Sequence, residues 1–382
     1  MVALCNHFVS AKIVFCLRMY KFADCSIIVG VSKTLAVIVI SILSSLYFIL
    51  YTLYFILYTL MTDTVWQPDC LGEGFEVTYV AQPDDYAGKV RCAVIRYRPD
   101  SECRAHKDGG RAVLYVHGYS DYFFQREMAE VFARNGYNFY AVDLRKYGRS
   151  LLEGQRMFQV RDLTEYFADI DAALEIIKSD GNQSVVLMGH STGGLITSLY
   201  MTGKPSAMID ALVLNSPFLD WNLPAVLRRV GIPVVSALGR LLPGVRVAQQ
   251  PDRGYAESLL SEFGGEWNYN RKWKPDVMPD PDMGWVRAIE KAQKELRRGR
   301  VHVPVLLMHS AESVRPADPK EKYSRADAIL DVELISRRGK RLGDDVTEVA
   351  FDGGLHDLVL SRWDVRKEVY LTILSWLRDH GC

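Results

Sequence analysis

The stretch that decides the fold is SVVLMGHSTGG, residues 184–194. An apolar run leads into the pattern G-x-S-x-G at residues 189–193, and another glycine, Gly194, follows it. This pattern puts a serine on a tight, strained turn from a strand to a helix, and its glycines leave room for the bend and for close packing of the helix. The stretch therefore predicts Ser191 as a nucleophile on such a turn. The alternative is a serine that only caps a helix N-terminus.

Outward from this turn, the chain alternates between runs typical of strands and stretches with helical periodicity. Such alternation predicts an α/β fold with a mostly parallel central sheet and helices on both faces. The first two strands are separated only by the turn DDYAGK and should form an antiparallel hairpin. Strands are predicted at 76–81, 90–99, 111–118, 138–144, 184–190, 209–217, 303–310 and 346–351, and helices at 122–135, 162–180, 192–203, 284–298 and 358–379.

One interval interrupts this alternation. Residues 218–301 are rich in proline and contain no clear strand–helix unit. An insertion of ~80 residues is too long for a plain connection, so it reads as a subdomain. We therefore predict an inserted subdomain over 218–301 between two parts of a core, 72–217 and 302–382. The apolar stretch 225–242 within the insertion is expected either to line a substrate pocket or to form the core of this subdomain.

A nucleophilic serine needs a base, and histidine is the usual one. Around a turn of this kind, the partners follow the serine in the order acid, then histidine, with the histidine after the last strand. Of the eight histidines, His356 alone fits, because it follows the last predicted strand inside GGLHDL. We predict His356 as the general base. The alternative is a histidine on a surface loop.

Two carboxylates compete for the role of the acid that orients His356. Glu312 comes directly after the predicted strand 303–310, where the acid normally lies. Asp327 comes later, but only one helix and one strand separate it from His356, and we favour it. Asp331 and Asp357 fit less well. Asp331 should lie inside the helix that follows Asp327, and Asp357 adjoins His356 in the chain but should point elsewhere.

Backbone amides are expected to stabilise the negative charge that develops on the attacked carbonyl oxygen. One amide belongs to the residue after the nucleophile, Thr192, and the other to the turn after the first central strand. That turn is His117-Gly118-Tyr119, and we assign the second amide to Tyr119. An ordinary glycine turn at the end of a strand is the alternative.

The N-terminal leader, residues 1–61, is unlike the rest of the chain. From Thr34 to Thr62 it contains no charged residue, glycine or proline, and a membrane span needs about 20 apolar residues. We predict a transmembrane helix over about 34–60, with basic residues before it and acidic residues after it that place the N-terminus in the cytoplasm. The protein would then be a single-pass membrane protein, associated with the membrane through its leader.

A second interpretation of the leader remains open. The heptad YFILYTL at 47–53 is repeated without change at 54–60, which is typical of a duplicated DNA tract rather than of a selected helix face. Met61 then begins an ordinary cytoplasmic start, MTDTVWQPD. If translation starts at Met61, the protein is cytoplasmic.

Composition excludes some classes of function. Hydrophobic residues make up 49% and charged residues 24% of the chain, and 46 basic residues balance 46 acidic ones. This is the composition of a globular protein, and the absence of a basic surplus argues against a nucleic-acid partner. The seven cysteines are scattered without a C-x-x-C pair, so we expect free thiols and no metal site.

Several segments resemble the branch of the α/β-hydrolases that contains the monoacylglycerol lipases, the lysophospholipases and the serine aminopeptidase-like enzymes. The resemblance extends over about 72–382 and implies a two-part architecture with a cap, a Ser-His-Asp mechanism and no cofactor. It also supports Asp327, which lies in ADAILD, although residues 311–325 are extra relative to that family and keep Glu312 open. The matching segments are HGYSDY (117–122), DLRKYGRS (143–150), GHSTGG (189–194), ADAILD (326–331) and GGLHDL (353–358).

These residues together predict a serine hydrolase that cleaves carboxylic esters of small molecules or lipids through an acyl-enzyme. A carboxylesterase or a lysophospholipase/monoacylglycerol lipase-like enzyme is favoured. A peptidase that releases N-terminal residues is the alternative enzyme, and it would need an acidic pocket such as Asp276, Asp280 and Asp282 could supply. A non-catalytic binding module is disfavoured, because a complete set of catalytic residues is present.

Overall fold

The structure is a computed structural model that describes residues 64–99, 110–203 and 206–382. The predicted leader, residues 1–61, with its helix over 34–60, lies outside the described residues. Within the described part, Trp66–Cys382 forms one compact unit. None of the helices in these described ranges combines the length and the apolar character that crossing a bilayer requires.

A nine-stranded sheet forms the centre of this unit, with the strand order β1-β2-β3-β5-β4-β6-β7-β8-β9. The first three strands and their junction with β5 are antiparallel, and all pairs from β5 to β9 are parallel. The strands are β1 (Gln67–Pro68), β2 (Phe75–Asp85), β3 (Gly88–Tyr97), β4 (Gly110–Val116), β5 (Tyr137–Asp143), β6 (Asn182–His190), β7 (Ile209–Asn215), β8 (Val305–Ser310) and β9 (Val346–Phe351).

The central strands are apolar over most of their length because both faces of the sheet are covered. In β4, Leu114 and Val116 belong to one hydrophobic cluster, and Val113 and Tyr115 belong to a second cluster on the other face. This alternation follows from side chains pointing to opposite faces along a strand. The predicted α/β fold with a mostly parallel sheet is confirmed.

Helices cover both faces. The first cluster includes residues of α2 (Phe167–Ser179), α3 (Thr192–Gly203) and α6 (Met283–Leu296), and the second includes residues of α1 (Arg126–Arg134) and α8 (Trp363–Asp379). The other helices are α4 (Ile232–Leu238), which continues from a π-helical turn at Leu227–Gly231, α5 (Gly254–Leu259) and α7 (Val332–Gly339).

Two details differ from the sequence-based expectation. Asp331 does not lie inside the helix that follows Asp327; it is the N-cap of α7, and its side chain accepts a hydrogen bond from the Glu333 amide. Aspartate is favoured at this position because its carboxylate satisfies an amide that has no partner within the helix.

The strand β1 had not been predicted, because two residues carry no periodic pattern.

Residues 218–301, the predicted cap insertion, lie in the chain between β7 and β8. It contains α4 and α5, and its last helix, α6, buries Val286 and Ile289 in the cluster that covers the sheet. That helix therefore belongs to the layer packed against the sheet. The exact limits of the insertion, 218 and 301, stay a prediction.

Candidate active site

Ser191 lies between the end of β6 and the start of α3, in a left-handed backbone conformation with φ 53°. A residue other than glycine adopts this conformation only when its surroundings enforce it. A Cβ atom at Gly189 would lie 2.4 Å from Thr197 Oγ1, and one at Gly193 would lie 2.3 Å from the Val116 carbonyl oxygen. Both glycines of the motif are therefore required by the close approach of strand and helix. The turn is the strand-to-helix elbow that the sequence predicted.

His356 is hydrogen-bonded to this serine. Its Nε2 lies 2.9 Å from Ser191 Oγ, and the ring is buried. The loop that carries it follows β9 and is pinned by a hydrogen bond from the Leu355 amide to Ser361 Oγ. The structure thus brings together two residues that are 165 positions apart in the chain.

Asp327 completes the arrangement. Its Oδ2 lies 2.9 Å from His356 Nδ1, and its Oδ1 accepts hydrogen bonds of 2.8 Å from the amides of Ile329 and Leu330. A carboxylate only accepts, so Nδ1 carries the proton that it donates to Asp327. Nε2 is then unprotonated and accepts from the Ser191 hydroxyl, which is the tautomer that a general base needs.

Glu312 lies elsewhere. Its side chain is 68% exposed and pairs with Lys322 Nζ at 3.1 Å. Its backbone carbonyl accepts a hydrogen bond from the Asp327 amide, so the two candidates lie on adjacent backbone segments. Of the two carboxylates, only Asp327 contacts His356.

The two amides predicted to stabilise an oxyanion flank the serine. Thr192 is the first residue of α3, and the turn before Tyr119 approaches closely, because a Cβ at Gly118 would lie 3.0 Å from Ser191 Cβ. Within the described residues, neither the Tyr119 nor the Thr192 amide donates to a backbone carbonyl. The Tyr119 side chain points to the cap insertion, where its hydroxyl donates to the Pro279 carbonyl at 3.1 Å.

The side chain of His117 connects this turn to the backbone that follows β5 through two hydrogen bonds. Its Nε2 accepts a hydrogen bond of 3.0 Å from the Leu144 amide, so its Nδ1 carries the proton and donates to the Gly118 carbonyl at 2.8 Å. Burial lowers the pKa of His117, against the opposing effect of Asp143 and Asp121. The neutral ring, with a hydrogen bond at each of its nitrogens, therefore fixes the peptide group between Gly118 and Tyr119.

Behind the serine and histidine lies a group of four buried ionisable side chains that sequence reasoning missed. We call Asp121, His190, Lys274 and Asp357 the buried charge cluster. Lys274 Nζ donates to Asp121 Oδ1 at 2.9 Å, and His190 Nδ1 lies 3.6 Å from Asp121 Oδ2 and 3.9 Å from Asp357 Oδ2. These last two are ion-pair distances rather than hydrogen bonds.

The cluster connects the cap insertion with three loops of the site. Asp121 follows the turn at Tyr119, His190 precedes Ser191, Asp357 follows His356, and Lys274 belongs to the cap insertion. The ring of His190 lies 4.9 Å from that of His356. Three members neighbour predicted site residues in sequence, which was the signal available. Lys274 gave none, because its pairing depends on the fold of the insertion.

The charges in this cluster shift the pKa of His190. Burial disfavours the imidazolium, but Asp357 and Asp121 outweigh it and raise the pKa of His190. Burial likewise disfavours the carboxylate of Asp121, but Lys274 and His190 outweigh it and lower its pKa.

Asp121, His190 and Asp357 also have the side-chain types of a metal site, with ligand atoms within 4.8 Å of one another. However, Lys274 already pairs with Asp121, and Asp357 accepts hydrogen bonds from Gln125 at 3.0 Å and Asn215 at 2.6 Å. Among the described residues, Asp121 Oδ2 and both ring nitrogens of His190 have no hydrogen-bond partner, so they interact only as charges.

The fold and the arrangement around Ser191 define an α/β-hydrolase. The model of the family described as serine aminopeptidase, S33 (Hydrolase_4) matches residues 109–360. This chain belongs to that family, as the resemblance of its motifs predicted.

Similar proteins agree with this assignment. The AB hydrolase superfamily protein YisY of Bacillus subtilis (strain 168) is 26% identical over 237 residues, which are 59% of this chain and 82% of the relative. The monoacylglycerol lipase of Paleococcus ferrophilus is 22% identical with a TM-score of 0.53, covering 72% of this chain and 98% of that one. A soluble variant of monoglyceride lipase from Saccharomyces cerevisiae is 16% identical with a TM-score of 0.55, covering 84% and 98%. At these identities the two structures show a shared fold.

Proposed function

We propose that this protein is a serine hydrolase that cleaves carboxylic esters through an acyl-enzyme, as a carboxylesterase or a lysophospholipase/monoacylglycerol lipase-like enzyme. The observation that carries the proposal is the continuous chain of hydrogen bonds from Asp327 through His356 to Ser191, with 2.9 Å at each step. A base oriented in this way is what a serine requires to act as a nucleophile near neutral pH.

In this mechanism, Ser191 Oγ attacks the ester carbonyl carbon while its proton passes to His356 Nε2. The carbonyl oxygen becomes an oxyanion that accepts hydrogen bonds from the amides of Tyr119 and Thr192. His356 then gives its proton to the leaving alkoxide, and the alcohol departs. Water, deprotonated by His356, attacks the acyl-enzyme, and its collapse releases the acid and restores Ser191. Asp327 stabilises the imidazolium in both halves.

The names of the two lipase structures support a lipid ester as substrate, and no described residue argues against one. A peptidase would need carboxylates free to bind the substrate amine, whereas the three acidic residues considered for this role have other partners. Asp276 pairs with Arg253 and Arg271, Asp280 accepts from the Gln249 amide, and Asp282 caps α6. The ester is therefore the preferred substrate class.

Ser191→Ala should lower kcat for p-nitrophenyl esters by ~10⁴ or more without unfolding the protein. A panel of acyl chains from short to long identifies the preferred acid. Ser179→Ala, which removes a hydroxyl from the end of α2, is the matched control and should retain full activity.

A fluorophosphonate probe should label the wild type and the control but not Ser191→Ala. Absence of labelling in the wild type would identify a binding module. Faster turnover of aminoacyl amides than of esters would identify a peptidase.

A further inference from the structure

The cap insertion exposes an unusual amount of apolar surface. Across the described ranges, 16 large apolar side chains are exposed, and nine of them fall within residues 223–245. Single exposed apolar side chains are normal on soluble proteins, but a contiguous patch of them marks an interaction site. The nine are Leu223, Val226, Leu227, Val230, Val234, Leu238, Leu241, Leu242 and Val245.

Four of these side chains share one side of the helical segment. Leu227, Val230, Val234 and Leu238 follow one another at intervals of three or four residues along Leu227–Leu238, and Leu241 lies in the turn directly after it. The opposite face buries Ile232 and Ser236. At Gly239 the backbone approaches α6 so closely that a Cβ would lie 2.2 Å from the Met283 carbonyl oxygen. The segment is therefore packed on its inner face, and its outer face is an apolar surface open to solvent.

The charge of this surface has one sign. Between Asp220 and Asp252 the chain contains no acidic residue, but it contains four arginines. Arg228 lies 3.9 Å from Asp220. Arg229, Arg240 and Arg246 are exposed and form no ion pair with any residue that the structure describes. An apolar face flanked by arginines has the composition of helices that lie in the interface of a bilayer with anionic lipids.

We propose that this outer face of residues 223–245, the apolar cap face, docks the protein on the surface of an anionic lipid bilayer. The apolar side chains enter the interface, and the arginines contact lipid phosphates. A symmetric dimer through the same face would bring the arginines of two copies together, which disfavours a second copy as the occupant. The leader is also a poor occupant, because Asp24 is its only acidic residue. Docking does not depend on hydrolysis, so it can be tested apart from the proposed function.

The test is backbone hydrogen exchange of the full chain mixed with unilamellar vesicles. Peptides within 226–242 should exchange more slowly with vesicles of phosphatidylcholine and phosphatidylglycerol than with phosphatidylcholine alone. Because exchange is read at the cap face itself, attachment through the leader does not mimic the result. Leu241→Asp should remove the protection, since this side chain, 78% exposed, is the most exposed of the nine. Leu371→Asp on α8, 59% exposed, is the matched control and should keep it.

The arginines provide a second set of variants. Arg229→Gln and Arg240→Gln should each weaken the apparent affinity for the anionic vesicles about fivefold, which corresponds to about 1 kcal/mol. Equal protection in Leu241→Asp and wild type, or no protection with either vesicle, would overturn docking. Equal protection by both lipid compositions would overturn the choice of anionic lipid. Protection that appears without vesicles as the protein concentration rises would assign the face to self-association instead.

Discussion

Asp327 is held on both of its oxygens. One accepts from two backbone amides and the other from His356, and the side chain is fully buried. A carboxylate fixed in this way keeps the imidazole in one tautomer and one orientation. Glu312, exposed and paired with Lys322, has no contact with the ring. The two residues therefore provide a sharp comparison.

Asp327→Asn should reduce kcat by ~10³ to 10⁴, because an amide can present a donor where the imidazole Nδ1–H needs an acceptor, and the wrong tautomer is then favoured. Glu312→Gln should cost less than about tenfold. Both replacements preserve shape, and steady-state hydrolysis of one p-nitrophenyl ester measures both. The reverse pattern of losses would transfer the role of the acid to Glu312.

His190 is expected to make the free energy of unfolding depend on pH. Its pKa is raised in the folded protein, so its contribution to the free energy of unfolding is fully present below the unfolded pKa, about 6.5, and is lost as pH rises through the folded pKa. The charged and titratable groups that face it are Asp121, Asp357, Lys274, His117 and His356. The slope is at most about 1.4 kcal/mol per pH unit for one group.

Urea unfolding of the wild type and of His190→Gln, measured from below pH ~6.5 upward through the folded pKa of His190, tests this pH dependence. The wild type should lose stability as pH rises through the folded pKa, and the variant should lose less. His302→Gln, at an exposed histidine, should follow the wild type. Parallel curves for wild type and His190→Gln would show that His190 does not titrate in this range.

At the scale of elements, the cap insertion is attached to the loops of the site by buried and partly buried polar contacts. Besides the Lys274–Asp121 pair, the indole N–H of Trp267 donates to the Leu360 carbonyl at 2.7 Å. The Tyr255 hydroxyl accepts from the Asp357 amide at 3.2 Å. Removing one partner of a buried ion pair is costly, because the other charge remains buried.

Lys274→Met should therefore lower the free energy of unfolding by about 3–5 kcal/mol. Lys272→Met, at an exposed lysine two positions away, should change it by less than about 0.5 kcal/mol. Adding Asp121→Asn to Lys274→Met should restore part of the loss, because the stranded charge is removed. Urea titrations measure all four proteins, and an undiminished midpoint in Lys274→Met would show that the pair adds no stability.

How far the sequence could predict these elements depends on whether their pattern is local. The strands β4 to β9 are apolar runs, and the elbow at Ser191 needs glycines at fixed spacing, so both were evident. The acid was left open between two residues, because the path of the loop from Glu312 to Asp327 is set by tertiary contacts. The stretch 225–242 was predicted to be pocket lining or cap core. Its inner face is packed, but sequence alone did not show that no element among the described residues covers its outer face.

On the scale of the whole molecule, the compact unit starts at Trp66 and contains every residue of the candidate site. A chain that starts at Met61 should therefore have the same specific esterase activity and the same urea midpoint as the full chain. If residues 34–60 form the predicted anchor, the full chain will fractionate with membranes and resist carbonate extraction, and the shorter chain will not. Loss of folding in the shorter chain would show that the leader is part of the folded unit.

The position of Lys274 also limits which segments can be exchanged. The insertion leaves the core after β7 and returns before β8, which are neighbouring parallel strands, so a chimera with a different cap could be joined there without breaking the sheet. However, Asp121 belongs to the core, and its cationic partner, Lys274, belongs to the cap that would be replaced. A transplanted cap without a lysine or arginine at the equivalent place would leave that carboxylate with His190 alone, next to Ser191. Cap and core of this protein are therefore matched at this ion pair, and a chimera should carry the counter-charge together with the new cap.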